Sequence, residues 1–313
     1  MKNFYLQYLK TLSKDKLIYL IYNPYRKQKA INHVSYRTIA LLISYHGEKY
    51  RGLAECKDGD SIGNRIKSAL LMSTLADNIV YAGRTDKGVS AIGMVASVKI
   101  KSLLRENTSR YFLNDDDKHE FNYQAILNNY LPEDIRVIGW APVEDGFSAR
   151  FTCIKRKYRY YFTNPFVKIK NQIRLKYDIN KMEEMCQKIL TLKNFYNLSK
   201  HSDKSARYNR TVDICQIIKE GDLYYLDIQA KSFLHNMVRK IFWVLEMAGK
   251  DENFDWEKIG TSDPQNLVFY EAVFPVNLCF LKSNNNIDAI TKDYNTCLAK
   301  QKIVKLIFES QLK

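Results

Sequence analysis

The chain has 313 residues, 46% of them hydrophobic, enough to fill the core of one large or two modest domains. Its 49 Lys and Arg against 34 Asp and Glu leave a formal charge of +15, which favours encounters with polyanions, nucleic acid foremost, although basic surfaces also occur without such a partner. No run approaches the roughly 18 apolar residues of a membrane span, no short apolar leader opens the chain, and the six cysteines form no Cys-x-x-Cys pair, so neither a zinc site nor a disulfide framework is indicated and the thiols are expected to be reduced inside a cell.

Residues 1–37 carry Lys10, Lys14, Lys16, Arg26, Lys27 and Lys29 between Tyr and Leu clusters, which suits either a basic arm on RNA or an ordinary helix. Thr38 to Tyr45 has the β-branched and aromatic content of a strand that ends at His46-Gly47. Asp60 or Ser61 caps a helix whose Ile62, Ile66, Ala69 and Leu70 share one face. Ile79 to Ala82 reads as a second strand, and Met94, Ala96, Val98 and Ile100 alternate as a third. Phe121 to Tyr130 reads as a helix that stops before Leu131-Pro132. Strands follow at Ile135 to Trp140 and Lys157 to Phe162.

The second half repeats this order. Met182, Met185, Cys186, Ile189 and Leu190 mark a helix, Val212 to Ile218 and Tyr224 to Ala230 read as strands, and a long helix spans about Phe233 to Met247 before Gly249. The pattern predicts an α+β protein with two similar halves, each an antiparallel sheet with helices, joined edge to edge around a central cleft. The halves are expected at 38–170 and 171–282, with the boundary near residues 165 to 178 and a C-terminal extension at 283–313.

The segment Gly83-Arg84-Thr85-Asp86-Lys87-Gly88-Val89-Ser90 lies between two expected strands, where a scaffold displays functional groups. Gly83 and Gly88 have the opening spacing of a phosphate-binding loop, yet Val89-Ser90 stands where Lys and a hydroxyl should follow. The flanking cations Arg84 and Lys87 favour the ionised form of Asp86, which suits a nucleophile or electrostatic stabiliser. On the loop alone, a turn-capping aspartate is the commoner outcome.

This loop resembles the signature of the TruA-type pseudouridine synthases, Gly-Arg-Thr-Asp-(Ala or Lys)-Gly-Val-(His or Ser)-Ala. Phe147-Ser148-Ala149-Arg150-Phe151 followed by Arg156-Lys157-Tyr158-Arg159-Tyr160 resembles the family's second motif. Phe233 to Ile241 resembles its Phe-x-x-x-Met-Val-Arg-x-Ile helix. Tyr45-His46-Gly47 and Tyr270-Glu271-Ala272 fall where the family has its first and closing strands. The likeness covers about residues 38 to 282. It implies that Asp86 is the nucleophile, that Arg84 helps to hold a flipped-out nucleotide, that the Tyr158 ring stacks on the target uracil, and that Arg239 pairs with the carboxylate. Read without it, Tyr158 is a core aromatic and Arg239 a surface cation. The chain departs from the family at Lys193-Asn194-Phe195, where His-Asp-Phe is common, and at Leu53-Ala54-Glu55 after the first strand.

The resemblance implies a tRNA substrate, no cofactor or metal, and a homodimer as in the bacterial type. The Trp140 to Cys153 stretch, with Lys87 and Ser90, is most similar to the eukaryotic branch acting on positions 38 and 39 of the anticodon arm. Thr85, Lys87, Gly88, Arg150 and Arg159 are expected to bind substrate, and Lys155, Arg156, Lys157, Lys204, Arg207 and Arg210 to line the RNA path or to be solvated surface charge. Two other readings stay open: a noncatalytic tRNA-binding or folding protein on the same scaffold, and a hydrolytic N-glycosidase that releases free uracil.

Overall fold

A computed structural model describes residues 35–57, 60–104, 120–169, 172–200 and 208–282. The N-terminal arm to residue 34, Lys204, Arg207 and the C-terminal extension lie outside the described residues.

Strand β1 (Ser35–Tyr45) leads to helix α1 (Ile62–Met72), the two-residue β2 (Val80–Tyr81), β3 (Ser90–Ser102), a short α2 (Tyr123–Asn128) and β4 (Ile135–Pro142). The chain continues through β5 (Lys155–Phe162), the hairpin β6 (Phe166–Ile169) and β7 (Gln172–Leu175), α3 (Ile179–Thr191), β8 (Val212–Glu220), β9 (Leu223–Ala230), α4 (Met237–Lys250) and β10 (Leu267–Val273). Eight of these strands make one sheet in the order β4-β1-β3-β10-β5-β9-β8, with β2 also on β3.

The expected α+β architecture with two antiparallel units is present. β4, β1 and β3 pair antiparallel, as do β10, β5, β9 and β8. The units meet through a short parallel contact between β3 and β10, Ser90 opposite Val268 and Ala91 opposite Phe269. β2 takes the same edge of β3 farther along, opposite Ala96 and Ser97. The loop from β2 to β3 therefore emerges where the units join. β5 precedes the expected boundary in sequence but pairs with β10 and β9.

Local chemistry explains most elements. Ser61 caps α1 by accepting from the Asn64 amide at 3.1 Å, and Ile62, Ile66, Ala69 and Leu70 are buried on its inner face. Asp178 caps α3 in the same manner, and Met182, Cys186 and Ile189 turn inward.

Three expectations need correction. The helix near Phe121 is confined to Tyr123–Asn128 because Asn122 supplies its cap. α4 starts at Met237 rather than Phe233, since Asn236 adopts a left-handed φ of 61° that a helix cannot contain. It also runs through Gly249, whose bare Cα lets α4 approach α3: a Cβ there would lie 2.8 Å from Met182 Cγ. The β6–β7 hairpin and the 3-10 turn Pro264–Asn266 are not expected from the pattern.

One face of β5 is packed beneath α4. Tyr160 stacks on Phe242 with centroids 3.8 Å apart and planes at 19°, and Phe162 packs against Phe242 and Tyr177. Alternation sends Arg159 and Tyr161 to the other face, where Arg159 lies over the rings of Tyr270 at 3.6 Å and Tyr225 at 4.3 Å.

Candidate active site

The Asp86 loop is held by backbone hydrogen bonds. The segment after β1 supports it: the Leu53 amide donates to Thr85 O at 3.1 Å, and the Gly88 amide donates to Tyr50 O at 3.2 Å. Thr85 is buried, and its hydroxyl shares a 2.9 Å hydrogen bond with Tyr45 Oη. Gly52 has φ of 93°, and a Cβ there would lie 2.6 Å from Thr85 O, so the close approach demands glycine. The Pro264 ring also lies close to Gly88, where an added Cβ would be 3.0 Å from its Cγ. α1 backs this segment in turn, because the Ile62 and Gly63 amides donate to Gly52 O and Leu53 O.

Asp86 emerges from this support with its side chain 28% exposed. The basic side chain beside it is His235, whose Nε2 lies 3.4 Å from Asp86 Oδ1. Arg239, expected to pair with the carboxylate, donates instead to Ser262 O at 2.7 Å and to Asn236 Oδ1 at 3.3 Å. The reason is local. Asn236 breaks the backbone before α4, so His235 projects toward the loop while Arg239, on the first helical turn, braces the segment leading to β10. Arg84 and Lys87 are exposed and make no side-chain hydrogen bond or ion pair with a described residue.

Tyr158 lies on the same side of β5 as the loop. Its hydroxyl donates to Arg84 O at 3.2 Å, and its ring makes edge contacts with Phe233 at 5.2 Å and Phe269 at 5.1 Å. Burial chiefly, then the proximity of Tyr45 and Asp86, pushes its phenol far above the usual tyrosine range, so the group stays protonated. Tyr158 therefore offers a ring and a hydroxyl donor rather than a base.

The other expected contacts divide between roles. Arg156 is a structural clamp: its guanidinium donates to Ala82 O at 2.8 and 2.6 Å, to Arg150 O at 2.9 Å, to Cys153 O at 3.3 Å and to Lys231 O. One side chain thus ties the base of the Asp86 loop to the turn before β5 and to the end of β9. Its donors are engaged within the protein. Lys155, Lys157 and Arg159 occupy the face of β5 opposite Tyr158. Lys155 is 3.6 Å from Asp213, and Lys157 is 2.6 Å from Glu271. Arg150 is exposed, its guanidinium 5.4 Å from the centroid of the protruding Phe151 ring. Arg210 donates to Asn209 O at 2.7 Å.

Where the family often has His-Asp-Phe, Asn194 Oδ1 accepts from the Tyr196 amide at 2.8 Å and Phe195 is fully buried. This segment reaches the site through Lys200, whose amide donates to His235 O at 2.9 Å. His235 is not singled out by the sequence reasoning. Its only signal there is its place within the Phe233 to Ile241 block, next to an asparagine able to take a left-handed conformation.

Fold and site together define a two-unit α+β scaffold that displays one carboxylate at the junction of its halves, next to a buried aromatic ring and two exposed cations that pair with no described residue. Residues 185–283 match the family model described as tRNA pseudouridine synthase. Bovine tRNA pseudouridine(38/39) synthase is 32% identical over 283 residues, covering 80% of this chain and 56% of that protein, and the human protein of the same name is 31% identical with the same coverage. A tRNA pseudouridine synthase A from Hydrogenovibrio crunogenus is 31% identical over 228 residues, covering 70% of this chain and 81% of the bacterial protein. The chain belongs to the tRNA pseudouridine synthase family. It spans little more than half the length of the mammalian relatives. No helix among the described residues is long and apolar enough to cross a membrane.

Proposed function

We propose that this chain converts uridine to pseudouridine in tRNA, with Asp86 acting at the sugar. The observation that carries this reading is the presentation of Asp86 on a loop clamped by Leu53, Tyr50 and Arg156, beside Tyr158 and the exposed Arg84. A carboxylate fixed in this way avoids reorganisation when charge develops on a reacting carbon.

The isomerisation breaks the N1–C1′ bond and forms C5–C1′, while C5 loses its proton and N1 gains one. Asp86 either attacks C1′ as N1 leaves, giving an ester that C5 then displaces, or takes the C2′ proton as N1 leaves, giving an unsaturated sugar to which that proton returns as C5–C1′ forms. Tyr158 supplies a stacking surface that retains the detached uracil, and its neutral phenol holds the ring to the loop by donating to Arg84 O. Arg84 occupies the space that the flipped nucleotide leaves in the stem. Thr85 and Gly88 shape the loop rather than touch the base. Lys87 and Arg150 are the exposed cations left to meet phosphates, and Lys204 and Arg207 belong to the same proposed role.

The target is the anticodon arm, positions 38 and 39, as in the names of the mammalian relatives. A homodimer on the bacterial pattern completes the reading. Carbodiimide mapping of unmodified tRNA transcripts incubated with the protein tests it. Stops at positions 38 and 39 support the assignment, stops elsewhere in tRNA refute the position, and no stops on any transcript refute the activity. Light scattering at the same concentrations gives the oligomeric mass.

A further inference from the structure

We propose that His235 is the positioning residue for Asp86, a switchable cation in the place where a permanent one was expected. The proposal rests on the reading of Asp86 as the reacting carboxylate. Its geometric basis is the 3.4 Å separation of His235 Nε2 from Asp86 Oδ1, with both side chains partly open to solvent. The imidazole does not reach the carboxylate by accident of a loose side chain. Its backbone carbonyl is fixed by the Lys200 amide at 2.9 Å, and the next residue, Asn236, is locked at φ of 61°. Phe233, two residues earlier, packs on Tyr158, so one short segment sets both the ring and the imidazole relative to the loop.

Charge decides how this contact works. The charged groups on the elements around His235 include Arg84 and Lys87 in the Asp86 loop, Lys200 in the preceding segment, Arg239 and Lys240 on α4, and Asp263 between Ser262 and Pro264, whose carboxylate accepts from the Gln265 amide, with Tyr158 as the nearby titratable group of β5. Arg239 is directed to Ser262 O and Asn236, and Lys240 to Ile259 O at 2.9 Å. Among the described residues Asp86 is the anion that lies within ion-pair distance of His235. Imidazole is the side chain whose charge changes between about pH 5 and 8. When it is protonated, the ion pair fixes one carboxylate oxygen and leaves the other for the sugar. When it is neutral, that restraint is lost and Asp86 samples more orientations.

Two measurements test this, one of them independent of turnover. Nitrogen-15 NMR of the histidine imidazoles near pH 6 reads the contact: the His235 Nε2 resonance is expected to move in Asp86→Asn while the other histidines stay in place. An unmoved His235 signal overturns the contact, whether or not the protein makes pseudouridine.

The second is single-turnover pseudouridine formation by the wild type, His235→Gln and His235→Arg. The Gln variant is expected to be about tenfold slower than the wild type at pH 6 with tRNA affinity within about twofold, and the gap to close to under about threefold by pH 8.5. The permanently charged Arg variant is expected to keep wild-type rates at pH 6 and exceed the wild type at pH 8.5. A gap that is constant with pH, no gap, or an effect on affinity alone overturns the positioning role. A wild type without product on any tRNA contradicts the proposed function instead and leaves the NMR result to decide the contact.

Discussion

Two helix starts flank the Asp86 loop, and they are built in opposite ways. α1 begins with an extended Ser61 whose hydroxyl caps the Asn64 amide, and its first amides bind Gly52 O and Leu53 O behind Thr85. α4 follows a left-handed Asn236 that makes no side-chain cap, and the coil before it delivers Phe233 to Tyr158 and His235 to Asp86. The first start obeys local rules and serves as support. The second departs from them and carries side chains into the site, which is where such departures are expected to gather.

That contrast predicts a ranking of effects. Arg156→Ala should be the most damaging change outside Asp86, since it removes charged donors from four carbonyls that join the loop to β5 and β9. A stability loss of about 3 kcal/mol in urea unfolding is expected, with turnover reduced even in the folded fraction. Gly52→Ala should cost about 2 kcal/mol, because the new Cβ meets backbone atoms of Thr85, Asp86 and Lys87 at a positive φ. Its turnover should fall by more than about tenfold, since displacing this support displaces the carboxylate.

Ser61→Ala should cost about 1 kcal/mol and leave turnover within about twofold, which would separate support from site. Equal losses of turnover in Ser61→Ala and Gly52→Ala would erase the distinction. The smallest effect is expected from Lys155→Ala combined with Lys157→Ala. Each lies in a partly exposed ion pair on the far face of β5, worth no more than about 1 kcal/mol. The salt dependence of tRNA binding should be nearly unchanged, and a slope reduced by about two would place RNA on that face.

Elements governed by neighbours along the chain are legible in the sequence itself. β1, α1, β3, β5, α3, β8 and β9 follow from periodicity and caps, and the Asp86 loop stands out as a displayed segment between two strands. The resemblance to a known family draws attention to Asp86, Tyr158 and Arg239. What the sequence does not disclose depends on packing between distant segments. A row of basic residues from Lys155 to Lys157 looks uniform, but strand alternation makes Arg156 an inward clamp and turns its neighbours away from Asp86. Arg239 and His235 lie within one motif. Only the left-handed turn at Asn236 and the carbonyl of Ser262 determine that the imidazole, not the guanidinium, meets the carboxylate.

The most direct test of the central claim is release of tritium from tRNA labelled at uracil C5, measured in single turnover for the wild type and Asp86→Asn with folding checked by circular dichroism. Stoichiometric release by the wild type, and a rate at least about 10³-fold lower in a folded variant that still binds tRNA, is the predicted result. Equal release by both proteins would contradict the assignment of Asp86.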